Sequence, residues 1–220
     1  MKIIEKIKKI YSKSRINKIL RNNGVCSTYF GMPGAGKTTF CAYIVKHLKR
    51  IYDSNNPKSL KVYSNVPIHG AIQFNKSDFG RYDFSNAVII LDECSLYYDG
   101  RNFAQNFNQY SLEYLKLLRH RNNYLLCFSQ SLDIDIKFIR MSVNVFQIKK
   151  TFLFHGLTSV ACVKRKVDVD ENTHKFEDFY YKTGLIDGLF SNIRFWRRPL
   201  FKMFNSYEAP YLPKMDEIEY

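Results

Sequence analysis

The stretch Gly31-Met32-Pro33-Gly34-Ala35-Gly36-Lys37-Thr38 stands between two segments of different character. Residues 25–30 before it are apolar and β-prone, and residues 38–50 after it are compatible with a helix. Glycines let the connecting backbone curl without Cβ clashes, and the start of a helix points free N–H groups into the curl. The stretch therefore predicts a strand, a phosphate-binding loop and a helix in succession.

Residue types inside the loop indicate which ligand it takes. Lys37 is expected to reach the β- and γ-phosphates of ATP, and the Thr38 hydroxyl is expected to ligate Mg²⁺. A glycine turn that only caps an ordinary helix is the alternative. The residues expected to bind the nucleotide are Gly31, Pro33, Gly34, Ala35, Gly36, Lys37, Thr38 and Thr39.

The length of 220 residues suits one domain with a small appendage, and a content of 45% hydrophobic residues is ordinary for a globular protein. Five cysteines share no C-x-x-C spacing, and most of them sit in apolar runs. We therefore expect buried thiols in a reducing compartment, without zinc or disulfides. No apolar run reaches the roughly 18 residues of a transmembrane helix, so we expect no such helix. Lys recurs through the first twenty residues without an apolar h-region, so we expect no signal peptide.

Positive charge is concentrated at the start of the chain. Six Lys and two Arg against Glu5, counted up to Gly24, supply half of the net charge of +14. This bias suggests an anionic partner, either a nucleic acid or a phospholipid surface, although lysines that only confer solubility would give the same pattern. Residues 1–24 are interpreted as a basic amphipathic helix, either docked on the domain or lying on a membrane. Its apolar face consists of Ile3, Ile4, Ile7, Ile10 and Tyr11.

Alternating strand-like and helix-like segments predict an α/β fold with a mostly parallel sheet and helices on both faces. Further strands are predicted at residues 60–63, 87–91, 124–128, 143–149, 151–154 and 159–163, and a helix is predicted around Leu112, Leu115 and Leu118. We assign residues 25–165 to a P-loop ATPase domain and residues 166–220 to a C-terminal extension.

Two carboxylates follow the apolar run 87–91, which is typical of a strand buried on both faces. Asp92 is expected to organise Mg²⁺, and Glu93 is expected to polarise the attacking water. Gln130 follows the next apolar strand and is expected to sense or orient the γ-phosphate, with help from Ser129. A plain solvated strand end is the alternative for the carboxylate pair.

Three arginines are candidates for a finger that enters the site of a neighbouring subunit and stabilises transition-state charge. They are Arg119, Arg121 and Arg140, and an ordinary surface role is the alternative for each. His120 is interpreted as a cation at a helix C-terminus rather than as a general base.

Six motifs, taken in order, resemble the Zot-like family, named for zonula occludens toxin. That family includes assembly ATPases of filamentous phages and belongs to the wider FtsK/HerA group of DNA-pumping ATPases. The motifs are residues 31–38, 62–67, 88–93, 119–121, 129–130 and 134–140. The resemblance implies an ASCE-type P-loop NTPase whose strand before Ser129 lies between the strands that precede Lys37 and Asp92. It assigns the nucleotide chemistry to Lys37, Thr38, Asp92, Glu93 and Gln130.

For the whole protein, the resemblance implies an ATPase at the host inner membrane that drives extrusion of single-stranded DNA virions. The partners expected on this basis are single-stranded phage DNA, other phage assembly proteins and further copies of the chain in a homo-oligomeric ring. The expected location is the host cytoplasm, with peripheral contact to the inner membrane. Members of the family typically carry a membrane-spanning helix after the ATPase domain, and we expect none here.

Residues 190–204 combine Trp, Phe and Arg side chains. Three interpretations stay open for this segment. It contacts the interfacial layer of a membrane, it stacks on single-stranded nucleic acid, or it packs on the domain and leaves its arginines exposed.

Three functions also stay open. The leading hypothesis is a Mg²⁺-dependent ATPase that moves DNA in phage assembly, packaging or export. A small nucleotide kinase would share the loop, but Asp92 and Glu93 suit activation of water better than transfer to a second substrate. In a non-hydrolysing scaffold, bound ATP would only lock an assembly interface, and Glu93 argues weakly against that function.

Overall fold

The computed structural model describes residues 2–20, 26–75, 84–94, 109–130, 142–151, 156–169, 176–182 and 193–205. Within these ranges nine strands form one sheet. The strands are β1 (Cys26–Phe30), β2 (Lys61–Ser64), β3 (Ile72–Gln73), β4 (Ala87–Leu91), β5 (Tyr124–Ser129), β6 (Ser142–Lys150), β7 (Leu157–Val169), β8 (Phe176–Lys182) and β9 (Ile193–Trp196). The described helices are α1 (Lys2–Ile19), α2 (Lys37–Ile51), α3 (Gln109–Leu117) and a 3-10 helix (Arg198–Met203).

The strands lie in the order β3-β2-β4-β5-β1-β6-β7-β8, and β9 pairs with β7. All neighbours from β3 to β6 are parallel, whereas β7 is antiparallel to β6, β8 and β9. Strand β5 lies between β1 and β4, so the order implied by the resemblance is confirmed. Because parallel strands end at the same edge, the residues that follow β1, β4 and β5 come together there.

Side chains of the central strands alternate between two apolar layers. Val88 and Ile90 of β4 pack in the layer that contains α2, and Ile89 and Leu91 pack in the layer that contains Leu115 of α3. The predicted α/β fold, with a mostly parallel sheet and helices on both faces, is confirmed. Four of the five cysteines are buried and Cys162 is half-buried, which agrees with their predicted place in the core.

Helix α1 docks on α2, but not through the four isoleucines of the apolar face that the sequence suggested. Tyr11 of that face does contact α2, with its ring centroid 5.7 Å from that of His47. The docked side of the helix carries Ser12, Ile16 and Ile19, all buried. Ile7 lies nine residues before Ile16, and at about 100° per residue the two point in opposite directions. The isoleucine face, defined as Ile3, Ile4, Ile7 and Ile10, is accordingly 58–75% exposed.

Strand β7 runs through the expected boundary between residues 165 and 166. Ile193, Phe195 and Leu200, which belong to the expected extension, lie in the same apolar layer as α2. The predicted strand at residues 151–154 lies outside the described residues except for Thr151. None of the described helices is long and apolar enough to cross a bilayer.

Candidate nucleotide-binding site

The phosphate loop joins the end of β1 to the first turn of α2. Gly36, directly before α2, has a φ of 107°, a left-handed conformation that side chains with a Cβ rarely adopt. A Cβ at this position would also lie 2.9 Å from Thr158 Oγ1, and a Cβ at Gly31 would lie 2.6 Å from the carbonyl oxygen of Ile148. Glycine is therefore required at both positions, because β6 and β7 press against the loop from one side.

The predicted nucleotide-binding residues occupy this loop and the helix start. The loop tip with Pro33 and Gly34 is exposed, whereas Ala35 and Thr39 are buried and Thr38 is half-buried. The first N–H groups of a helix have no partner inside the helix and carry its positive dipole end. A loop of this shape is suited to an anion.

Lys37 is buried although its side chain is charged. Its Nζ donates a hydrogen bond to the Gly31 carbonyl oxygen at 3.1 Å and lies 3.6 Å from Glu93 Oε1. The Lys37 side chain is 6% exposed and that of Glu93 is 24% exposed, so water screens this ion pair less than it screens a surface pair. The ion pair links the phosphate loop after β1 to the acidic residues after β4.

Thr38 and Asp92 form the second link between these segments. Thr38 Oγ1 donates to Asp92 Oδ2 at 2.7 Å. The Asn65 side chain accepts a hydrogen bond from the Asp92 N–H at 2.7 Å and donates one to the Asp92 carbonyl oxygen at 2.9 Å. Asn65 thereby fixes the backbone from which Asp92 reaches Thr38.

The Asp92 carboxyl group is fully enclosed. Burial raises its pKa, because the ionised form loses its water, and the hydrogen bond from Thr38 offsets only part of this effect. The ammonium group of Lys37, which pairs with Glu93, lowers the pKa of Asp92 by a smaller amount.

A magnesium ion fits the oxygen atoms of Thr38 and Asp92. Hydroxyl and carboxylate oxygens are the donors that Mg²⁺ prefers, and this ion usually takes one or two protein ligands together with water and substrate phosphates. The ion would also supply positive charge beside a carboxylate whose ionised form is destabilised by burial.

Glu93 has a φ of 50°, an uncommon conformation for a residue other than glycine and one that clusters at functional sites. Its N–H donates to Asp92 Oδ1 at 3.0 Å. Gln130 Nε2 donates to Glu93 Oε1 at 3.3 Å, so this one oxygen faces both Lys37 and Gln130. Side chains that were predicted separately at three strand ends thus meet at one point.

The described finger candidates lie far from this point. The turn that holds Arg119 and Arg121 connects α3 to β5, and the Arg121 carbonyl accepts from the N–H of Asn86, directly before β4. It therefore lies at the edge where β4 and β5 start, opposite to the edge of the phosphate loop. His120 is exposed in the same turn, and Arg140 lies outside the described residues.

Sequence reasoning missed several residues that the fold brings to the site. Asn65 lies in the motif 62–67, at the end of a predicted strand, and the sequence pattern did not indicate a function for it. Thr158 touches the loop from β7, and its Oγ1 donates to the Ala35 carbonyl oxygen at 3.5 Å. Lys150 and Arg197 approach the loop from the ends of β6 and β9. Lys150 and Arg197 lie at or just after the end of a strand, as Asp92 and Gln130 do, and this position could have identified them from the sequence.

The described part of the segment 190–204 packs on the domain. Phe195 stacks with Phe40 and packs in a tilted arrangement against Tyr43, both in α2, and Leu200 is buried. Arg194 and Arg198 remain exposed, as the third interpretation of this segment expected.

Comparison with known proteins returns similarity at the level of the fold. No protein-family model matches the chain, and no curated protein matches it. One similar solved structure is the N-terminal domain of zonular occludens toxin from Neisseria meningitidis, with 12% identity, a TM-score of 0.49, and coverage of 84% of this chain and 100% of that chain.

Another is the sulfate complex of the genome packaging NTPase B204 from Sulfolobus turreted icosahedral virus 2, with 12% identity, a TM-score of 0.47, and coverage of 74% and 98%. A third is the RadB recombinase, with 14% identity, a TM-score of 0.43, and coverage of 76% and 90%. By its strand order, its glycine loop and the acidic residues two strands away, this chain has the fold of a P-loop NTPase.

Proposed function

We propose that the chain is a Mg²⁺-dependent ATPase. The observation that carries this proposal is the convergence of Lys37 with Glu93 and of Thr38 with Asp92 at the edge where β1 and β4 end. A loop for phosphates, a pair of oxygen ligands for a cation and an accessible carboxylate are the parts that hydrolysis of a triphosphate needs.

Each residue in the proposal has a separate task. Lys37 binds the β- and γ-phosphates, and the first turn of α2 supplies backbone N–H groups to the same anion. Thr38 and Asp92 hold Mg²⁺, which neutralises phosphate charge when it is bound. Glu93 accepts the proton of the attacking water, and Gln130, hydrogen-bonded to Glu93, orients the groups around the γ-phosphate.

Two substitutions test the assignment. Lys37→Ala should abolish ATP binding and turnover. Glu93→Gln should keep ATP affinity within about threefold and lose turnover by at least about 100-fold, because the amide cannot accept the proton of the attacking water. Phosphate release and equilibrium binding measure the two effects.

Full turnover by the Lys37 variant would contradict the proposal, and phosphorylated nucleoside products would indicate a kinase. Binding without turnover in the wild type, even with DNA and vesicles present, would indicate a scaffold.

We further propose that ATP hydrolysis moves single-stranded DNA in phage assembly, packaging or export, through a homo-oligomeric ring and together with other assembly proteins. The order of the six motifs and the net charge of +14 support this. Single-stranded DNA should stimulate turnover, and the affinity for DNA should fall steeply with salt because phosphate contacts release counterions. Turnover that does not respond to DNA at low salt would contradict the DNA-moving role.

We also propose peripheral contact with an anionic bilayer through the isoleucine face of α1. This face points away from α2, and Lys6 and Lys8 lie about 100° to either side of Ile7. Apolar side chains between two rows of cations suit the interfacial layer, where apolar groups enter and ammonium groups meet lipid headgroups.

Vesicle co-sedimentation tests this contact. The wild type should bind vesicles with about one third anionic lipid more tightly than neutral vesicles, and binding should weaken with salt. Ile3→Glu combined with Ile7→Glu should lose vesicle binding and keep ATP affinity, because the face lies away from the site. Unchanged vesicle binding by this variant would contradict the membrane role of α1.

A further inference from the structure

The proposed function fixes the direction in which the phosphate chain of the nucleotide lies across the site. Glu93 and Gln130 follow β4 and β5, and both lie on one side of β1. If the γ-phosphate faces these residues, the chain of phosphates has to leave the loop toward the other side of β1, where β6, β7 and β9 end or begin. This orientation of the phosphate chain, and the inference drawn from it, rest on the proposed function.

Two cations stand on that other side. Lys150 is the last residue of β6, and its Nζ lies 3.5 Å from the point at which a Cβ on Gly34 would lie. Arg197 follows β9, and its Nε lies 3.4 Å from the corresponding point on Gly36. Because β6 and β9 run in the same direction as β1, both residues emerge at the edge of the phosphate loop.

Arg197 is held at two points, but its Nε has no hydrogen-bond acceptor among the described residues. Its backbone N–H donates to the Gly156 carbonyl oxygen at 2.8 Å, and its guanidinium carbon lies 5.8 Å from the centroid of the Phe201 ring. Its Nε is buried without a hydrogen-bond partner, and no carboxylate among the described residues pairs with Arg197 or Lys150. A buried donor on a cation is costly unless an anion meets it.

We propose that Arg197, assisted by Lys150, binds the nucleotide at the end of its phosphate chain next to the ribose, the α-phosphate. The guanidinium then supplies charged donors to phosphate oxygens within the same chain. This task differs from that of a finger, which acts on the γ-phosphate from a neighbouring subunit.

A comparison of ATP, ADP and AMP tests the position of the contact. All three nucleotides carry the α-phosphate and AMP carries no other phosphate, so Arg197→Met should weaken all three affinities by about tenfold, equivalent to one charged hydrogen bond. Methionine keeps the apolar stem that packs on Phe201. Because the α-phosphate does not react, kcat should stay within about twofold of the wild type. Arg197→Lys should recover part of the affinity, and the exposed neighbour provides the matched control Arg198→Met.

The outcomes separate this inference from the proposed function. Wild-type protein that binds no nucleotide would overturn both. Wild-type binding with unchanged affinities in a folded Arg197→Met variant would overturn the inference alone. A loss confined to ATP would move the contact to the γ-phosphate, a loss confined to ATP and ADP would move it to the β-phosphate, and either result would overturn the inference too.

Discussion

At the scale of single residues, the site contains groups that are unfavourable for the folded chain by itself. Asp92 is fully buried with a raised pKa, and Glu93 adopts a left-handed backbone conformation. Such features persist only where the surrounding structure fixes them, as the two hydrogen bonds of Asn65 fix Asp92. They indicate that this edge of the sheet is arranged for binding rather than for stability.

Replacing Asp92 with Asn should therefore stabilise the ligand-free protein while removing Mg²⁺-dependent tightening of ATP binding. We expect the free energy of unfolding to rise by about 1 kcal/mol at pH 7. A raised pKa in the folded state makes the contribution of Asp92 greatest at low pH and smaller as pH rises through that pKa, so the advantage of the variant should grow above about pH 4.

Urea unfolding at several pH values, with exposed Asp53→Asn as the control, measures the effect. A variant that is less stable than the wild type throughout the pH range would show that the carboxylate stabilises the fold.

At the scale of elements, one contact holds α1 on α2 in a way that pH should weaken. His47 of α2 is buried, and its Nδ1 lies 2.9 Å from Ser12 Oγ of α1, with the Tyr43 ring at 4.4 Å. The pKa of His47 is lowered to about 4. Burial is the main cause, and the nearby cations of Arg50, Lys46 and Arg15 contribute the rest. The neutral imidazole is thus the form that fits under α1.

We predict that the docking of α1 weakens as the medium is acidified. A lowered pKa means that the stabilisation is present above the unfolded value near 6.5 and is lost as pH falls toward 4. Between pH 7 and pH 5 the loss should be about 2 kcal/mol. His47→Gln should flatten the pH dependence of unfolding in this range, measured by chemical denaturation. An equally steep profile in the variant would assign the effect to other groups.

At the scale of the whole molecule, Arg197 and Arg119 lie at opposite ends of the parallel strands. This difference determines which nucleotide site each arginine can reach. Arg197 lies beside the phosphate loop of its own chain, whereas Arg119 lies at the opposite edge. A strand of five or six residues spans about 17–20 Å, which exceeds the reach of a side chain. Arg119 could therefore serve a nucleotide only in a neighbouring copy.

Mixing two inactive variants tests this arrangement. Arg119→Ala should lower ATP turnover by at least about 100-fold if it removes a finger, and its own phosphate loop stays intact. Lys37→Ala lacks a working loop but keeps Arg119. A mixture of the two should regain part of the turnover, because intact loops then meet intact fingers at some interfaces. The exposed Lys116→Ala variant is the control. Full activity of Arg119→Ala alone would remove this arginine from the mechanism.

The fold and the centre of the site were accessible from sequence because their signals are local. Apolar runs marked β1, β4 and β5 to within a residue or two, and glycine spacing marked the loop. Family motifs supplied the position of β5 between its neighbours, which no local pattern contains.

The sequence by itself determined that a phosphate loop follows a buried strand and that Asp92 and Glu93 end another, since both depend on residues adjacent in the chain. Tertiary structure decided which side of α1 docks, that Asn65 clamps Asp92, and that Arg197 stands beside Gly36 from 161 residues further along the chain. The physical reason is that periodicity reports which side chains share a face, whereas only the closed sheet determines what that face meets.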